Sequence, residues 1–319
     1  MKRFNLQKEK IMNENIQNIH KEITKVVRGK DTVVDMVLCA MLAGGHILLE
    51  DIPGVGKTTL AVALSRAVSL SYKRMQFTPD VLPSDILGFS LYDNKTGEFT
   101  YRPGCIFTNL FLADEINRTS PKTQSALLEV MEEHKVTVDG VTRQLEEPFF
   151  VIATQNPVGA SGTQKLPDSQ LDRFFVRLSL GYPSHTAATD ILKGHSMDQI
   201  DVVQPVCSAR EFRLMQQKTG EVFCKDELLD YIVKLIEATR GNQWVFQGIS
   251  PRGSLALLKM ARAHAFMEDR DYVVPEDIHE VFYSVANHRM QLSTAAKAAG
   301  KTAFDVTEQV LSQIPIPRI

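Results

Sequence analysis

The sequence predicts an α/β protein, a three-layer αβα domain followed by an all-helical domain, and three observations carry that prediction. Short apolar runs at residues 47–49, 110–113 and 149–153 have the length and flanks of buried strands, with helix-period stretches between them. A glycine-rich corner, Asp51-Ile52-Pro53-Gly54-Val55-Gly56-Lys57-Thr58-Thr59, joins the first run to a helix. After Gly181-Tyr182-Pro183-Ser184 the strand-like runs stop and helical periodicity takes over, so the two domains are read as 1–183 and 184–319.

Composition bounds the function. A chain of 319 residues with 44% hydrophobic content has ample material for buried cores. Its net charge of −2 supplies no basic field to recruit nucleic acid or an anionic membrane surface. Cys39, Cys105, Cys207 and Cys224 are too far apart for a CxxC redox or zinc pattern and read as buried, reduced thiols. The first residues lack the apolar core of a signal peptide, and no window approaches the roughly eighteen apolar residues of a membrane span. The expected location is the cytoplasm.

Residues 6–25 form an amphipathic stretch with Ile11, Ile16, Ile19 and Ile23 on one stripe, broken by Val27-Arg28-Gly29-Lys30. A mostly apolar helix over 33–42 then delivers the chain to the first strand and the corner. There Gly54, Val55, Gly56, Lys57, Thr58 and Thr59 are the expected phosphate contacts. Gly54 and Gly56 let backbone N–H groups point inward, Lys57 reaches the terminal phosphates, and the Thr58 hydroxyl coordinates magnesium. The following helix keeps Leu60, Leu64, Ala67 and Val68 on one face and offers the phosphates its N-terminus. The usual pattern has glycine where this chain has Asp51. A bare Gly-Lys-Ser/Thr arises by chance in roughly one chain in six of this length, and Gly54 lowers that to about one in a hundred. The corner therefore needs support from elsewhere.

Residues 74–78 read as a strand, 82–87 as a short helix, and 89–101 as a projecting hairpin around the turn-rich tip 93–98. The next apolar strand ends in two carboxylates, Asp114 and Glu115, which strand alternation would place on different sides. Some sixty residues beyond a Lys-Thr corner, the first acid suits a water-mediated magnesium contact and the second suits polarising the water that attacks the γ-phosphate. A helix over 121–133 has Ala126, Leu127, Val130 and Met131 inward, and Asp139-Gly140 marks a tight hairpin. The strand over 149–154 ends at Gln155-Asn156, where Asn156 could position the attacking water or simply cap a turn. Arg173 falls near the end of the first domain and so can lie at its edge, the plainer reading being a surface ion pair. Arg252 sits in the first turn of a helix opened by Ser250 and Pro251, where a cation opposes the dipole, so a phosphate partner explains it better than helix stability does. Residues 226–240 and 276–290 read as core helices, the latter as the last, and 314–317 as an extended tail.

In order and wording these motifs resemble the MoxR family of AAA+ ATPases. The stretches LLEDIPGVGKTTLA, ADEINRTSPKTQSALLEVMEE, IATQNP, LPDSQLDRF and GISPRGSLALLKMARA carry the likeness, which runs from about residue 27 to the end. The resemblance makes Lys57 and Thr58 the Walker A pair, Asp114 and Glu115 the Walker B pair, Asn156 sensor 1, Arg173 the arginine finger and Arg252 sensor 2. It implies ATP and Mg2+ as ligands, a hairpin inserted in the second helix, a displaced helical lid, and a ring, expected to be a hexamer. Arg173 follows the Asn156 strand by too little chain to swing back onto its own γ-phosphate, and is expected to reach a neighbour's. Arg252 is left open between its own and a neighbour's nucleotide. Asp51 is normal for this branch, whereas Arg102-Pro103-Gly104-Cys105 departs from it. The implied function is chaperone-like maturation or activation of a client protein, often one with a von Willebrand factor A domain. Two rivals are a nucleic-acid motor of helicase type and a low-turnover nucleotide switch. Asp93, Lys95 and Glu98 nearly cancel at the hairpin tip, which counts against the first. Glu115 and Arg173 count against the second.

Overall fold

The computed structural model describes residues 14–156, 166–185, 188–189 and 197–317. A helix over residues 14–24 (α1) precedes α2 (Asp31–Leu42), β1 (Ile47–Glu50), α3 (Lys57–Ala67), β2 (Tyr72–Gln76) and the short α4 (Pro83–Leu87). The hairpin β3 (Gly88–Asp93) and β4 (Glu98–Pro103) follows, then β5 (Leu110–Asp114), α5 (Pro121–Glu133), a second hairpin of β6 (Lys135–Val138) and β7 (Val141–Gln144), β8 (Phe150–Gln155), α6 (Asp168–Leu171) and β9 (Val176–Leu178). The second half holds α7 (Ala209–Glu221), α8 (Asp226–Arg240), β10 (Val245–Gln247), α9 (Pro251–Met267), α10 (Pro275–Ala286), β11 (Gln291–Leu292), α11 (Thr294–Ala298) and α12 (Ala303–Gln313).

The central sheet is parallel throughout, in the order β2-β5-β8-β1-β9. Its inner strands β5 and β8 are buried along their whole length because both faces are covered. The period of two divides their side chains between the faces. Leu110, Leu112, Phe150 and Ile152 join the core beneath α1, α2 and α3, whereas Phe111, Ala113, Val151 and Ala153 join the core beneath α5. The first of these cores continues without a break into α7, α8, α9 and α10. There the Gln216 amide donates to the Met41 carbonyl at 2.7 Å and the Cys39 thiol to the Met260 carbonyl at 3.3 Å. All four cysteines are free.

Several elements differ from expectation for local reasons. Ile16, Ile19 and Ile23 are buried as the periodicity requires, while Ile11 lies outside the described residues. Strand β2 begins two residues early, in register from Tyr72↔Leu110 to Gln76↔Asp114, because pairing with β5 sets its limits. On α5 it is Leu128 that is buried and Ala126 only half-buried, since this helix packs on α4 as well as on the sheet. Edge strand β9 escaped notice because three residues carry no periodicity. The same holds for the two-stranded ribbon β10–β11 inside the helical half. The helix expected over 276–290 ends at Ala286 and is not the last, for α12 buries Val306 and Val310 behind a Thr302/Asp305 capping box. At the exit of the β3–β4 hairpin, a Cβ on Gly104 would lie 2.0 Å from the Ile86 carbonyl oxygen, so only glycine fits there.

Candidate active site

The loop between β1 and α3 turns through Gly54 (φ 85°) and Gly56 (φ 99°), left-handed conformations that a side chain would strain. Lys57 opens α3 with its ammonium drawn back into the loop, 2.7 Å from the Asp51 carbonyl and 3.4 Å from that of Ile52. Burial lowers its pKa, and the carboxylates of Asp51, Asp114 and Glu115 oppose the shift. A cavity of about 290 Å³ brings Lys57, Thr58 and Thr59 together with Asp114, Glu115 and Asn156. Gly54 and Gly56 also line it, whereas Val55 packs against the larger core.

The acid pair is arranged differently from the sequence expectation. Strand geometry stops at Asp114, and Glu115 adopts a left-handed conformation (φ 57°, ψ 48°). Alternation therefore no longer separates the two carboxylates, and both line the one cavity. Asp114 accepts from the Thr154 hydroxyl at 2.6 Å and from Arg74 at 2.6 and 3.2 Å. Glu115 accepts from Asn156 at 2.9 Å on one oxygen, and from Gln76 at 2.9 Å and Arg118 at 2.7 Å on the other. Burial raises the Glu115 pKa, but the hydrogen bonds from Arg118 and Asn156 outweigh it and hold the carboxyl below its ordinary value. The Asn156 side-chain oxygen is buried and has no hydrogen-bond partner among the described residues. Arg74, Gln76, Arg118 and Thr154 were not singled out from sequence. The two-residue spacing of Arg74 and Gln76 was visible, but their delivery to the acids depends on the long-range pairing of β2 with β5.

Arg173 and Arg252 are not among the residues lining this cavity. They meet around Glu132, at the C-terminal end of α5. Arg173 approaches one carboxylate oxygen at 3.4 Å, and Arg252 donates to the other. A smaller cavity of about 220 Å³ is bordered by both arginines, Glu132 and Lys259. Glu132 thus supplies the counter-charge that Arg252 needs in the first turn of α9, where Ser250 caps the helix by accepting from the Gly253 amide. Beneath the pair, Asp172 accepts from Ser250 at 2.7 Å and from Arg289 at 2.9 Å. The Arg289 side chain is 1% exposed and also donates to the carbonyls of Asp172, Phe174, Phe175 and Val285. Burial lowers its pKa to about 10 against the pull of Asp172. Arg289 thereby mounts the Arg173 segment on the helical half, a role with no local sequence signal.

Comparison with known proteins agrees with this geometry. Residues 46–176 match the ATPase family associated with various cellular activities (AAA), and residues 237–310 match the AAA lid domain. The uncharacterized YeaC of Bacillus subtilis (strain 168) is 48% identical over 299 residues, covering 92% of each chain. Chaperone MoxR1 of Mycobacterium tuberculosis is 37% identical over 307 residues, covering 93% of this chain and 81% of that one. A crystal structure from Cytophaga hutchinsonii, of a protein assigned as an ATPase, superposes with a TM-score of 0.91 at 36% identity and 99% coverage of both chains. A loop, sheet order and lid of this kind, matched along almost the whole chain by a named MoxR chaperone, make this protein a member of the MoxR family of AAA+ ATPases.

Proposed function

We propose that the protein couples Mg-dependent ATP hydrolysis, shared between neighbouring subunits of a ring, to chaperone-like maturation or activation of a client protein. The observation that carries this reading is the division of its polar groups. Lys57, Thr58, Asp114, Glu115 and Asn156 share one cavity, while Arg173 and Arg252 face another around Glu132. One subunit then offers a phosphate cradle whose own arginines, Arg74 and Arg118, are held by Asp114 and Glu115, and a separate pair, Arg173 and Arg252, outside it, which suits two complementary faces of a ring.

The donor set fits a magnesium nucleotide. A positive-φ glycine loop at a helix N-terminus presents N–H groups to phosphate, and Lys57 lies within it. The Thr58 hydroxyl and the Asp114 carboxylate are the hard oxygen donors. Among the described residues no three His, Cys, Asp or Glu side chains could hold a metal by themselves, so in this reading Thr58 and Asp114 would hold the ion only together with a nucleotide. Magnesium held by Thr58 and Asp114 would supply charge neutralisation for the phosphoryl group being transferred. Glu115, kept ionised by Arg118 and Asn156, accepts the proton of the attacking water, and Asn156 holds that water in line. Arg173, with Arg252 beside it, leaves Glu132 for the γ-phosphate of the adjoining subunit. The ring is taken to be a hexamer working in the cytoplasm, with the nucleotide domain ending near residue 183. The client is taken to be a von Willebrand factor A domain protein. The chaperone name of the Mycobacterium tuberculosis relative supports the client-directed part.

Mixing variants tests the shared site. Lys57→Ala subunits keep their finger and Arg173→Ala subunits keep their cradle, so each alone should be inactive while mixed rings recover turnover. A finger supplied in trans contributes about 10³ to 10⁵ in rate, far beyond a surface ion pair. Normal hydrolysis by Arg173→Ala alone, or no recovery although mixed oligomers form, would reject the assignment.

A further inference from the structure

Asp51 stands where loops of this type usually have glycine, and its side chain does something glycine could not. One carboxylate oxygen accepts from the Ser179 hydroxyl at 2.8 Å and the Gly181 amide at 3.0 Å, and the other accepts from the Leu180 amide at 2.6 Å. Donors on three consecutive residues thus converge on both oxygens of one group, which only an acceptor on both sides satisfies. Gly181 has φ +62°, which helps two successive N–H groups form an anion-holding concavity. One residue further on, the Lys30 ammonium donates to the Tyr182 carbonyl at 2.7 Å. Residues 179–182 are the strap by which the chain leaves β9 for the helical half. They are fastened to the phosphate loop by Asp51 and to the start of α2 by Lys30.

Asp51 also touches the cradle through its main chain. Its carbonyl accepts from the Lys57 ammonium, and its amide donates to the Gln155 carbonyl at 3.2 Å, one residue before Asn156. We propose that Asp51 is a positioning residue that links the phosphate loop to the 179–182 strap, so that nucleotide occupancy is transmitted to the chain entering the helical half. The inference rests on the ATPase reading above. When Lys57 extends to a phosphate it gives up the Asp51 carbonyl, and the loop residue that responds is the one whose carboxylate holds the strap. Glycine at 51 would still permit a phosphate loop but would cut this connection. Asparagine would keep an acceptor on one side and present a donor to the other.

The test is hydrogen exchange of the full-length protein over residues 176–184, without nucleotide, with Mg-ADP and with a Mg-bound non-hydrolysable ATP analogue, alongside calorimetric affinities. The unaltered protein should show nucleotide-dependent exchange at 179–182. In Asp51→Gly, affinity for Mg-ADP should stay nearly unchanged, while exchange at Leu180 and Gly181 rises about tenfold or more through loss of charge-assisted hydrogen bonds and no longer responds to nucleotide. Turnover should fall through kcat rather than KM, and Asp51→Asn should lie between. If Asp51→Gly does not fold, Asp51→Asn and Ser179→Ala carry the comparison, each expected to weaken the nucleotide response in part. A strap that responds fully to nucleotide in these variants overturns the inference alone. Failure of the unaltered protein to bind either nucleotide overturns the ATPase reading instead.

Discussion

Replacing Arg289 by methionine should cost about 3 kcal/mol of stability and loosen the mounting of Arg173. The guanidinium is 1% exposed and holds the Asp172 carboxylate together with the main-chain carbonyls of Asp172, Phe174, Phe175 and Val285. Removing one member of a buried ion pair typically costs about 3–5 kcal/mol, because the other charge is left in a poor solvent. Asp172 keeps the Ser250 hydroxyl and has Arg252 at 4.0 Å, which places the expected loss at the lower end of that range. Burial outweighs the attraction of Asp172 for Arg289, as the lowered pKa indicates. The double variant with Asp172→Asn should therefore recover about 1 kcal/mol or more, since both charges are then gone. Urea unfolding at neutral pH measures the stability of each variant. Mixing with Arg173→Ala subunits, whose cradles are intact, measures how well each still serves as a finger donor. Arg289→Lys should rescue only part of either property, because one ammonium cannot replace a fork of donors. An Arg289→Met protein within about 0.5 kcal/mol of the original, the ordinary range for a surface change, would refute the reasoning.

Lys57→Ala should abolish ATP binding, whereas Glu115→Gln should bind ATP and fail to turn it over; equal loss of affinity in both would reject the assigned roles. His46, buried between the Met131 carbonyl and the Val151 amide, has its pKa pushed down to about 4 by burial. The unfolded chain binds this proton near 6.5 and the folded one does not, so stability is fully present above that pH. It declines as pH falls towards 4, by on the order of 3 kcal/mol, and His288 adds in the same direction. Urea midpoints that stay level from pH 7.5 to 4.5 would contradict this. Neither single- nor double-stranded DNA should stimulate the ATPase, because Asp93, Lys95 and Glu98 leave the hairpin tip without a basic field. Salt-sensitive stimulation would instead favour a helicase-type motor.

What could be read from the sequence was whatever local chemistry dictates. Gly54 and Gly56 announce a loop that needs positive φ, Asp139-Gly140 announces a tight hairpin, and the apolar runs at 110–113 and 149–153 announce strands covered on both faces. The candidate groups Lys57, Thr58, Asp114, Glu115 and Asn156 stand out by residue type and spacing, and the structure gathers them in one cavity. Partners that arrive from far along the chain were not readable. Gln76 reaches Glu115 only because β2 pairs with β5, and Glu132 meets Arg252 across 120 residues. The convergence of the two acids was missed for a different reason: alternation assumes that the strand continues, and a left-handed Glu115 ends it.

The unbroken core beneath α1, α2 and α3 bears on how this molecule can be taken apart. Val37, Leu38, Cys39 and Met41 of α2 share that core with Phe212, Met215, Leu257 and Met260 of the helical half. A fragment cut near residue 183 would keep the whole sheet and the phosphate loop, yet expose a face that the second half normally covers. Such a fragment is expected to aggregate rather than report on nucleotide chemistry. Lid exchange between relatives meets the same constraint: a foreign α7–α9 layer would have to fit this α2 side chain by side chain, so a chimera must carry α2 along with the lid it was built for.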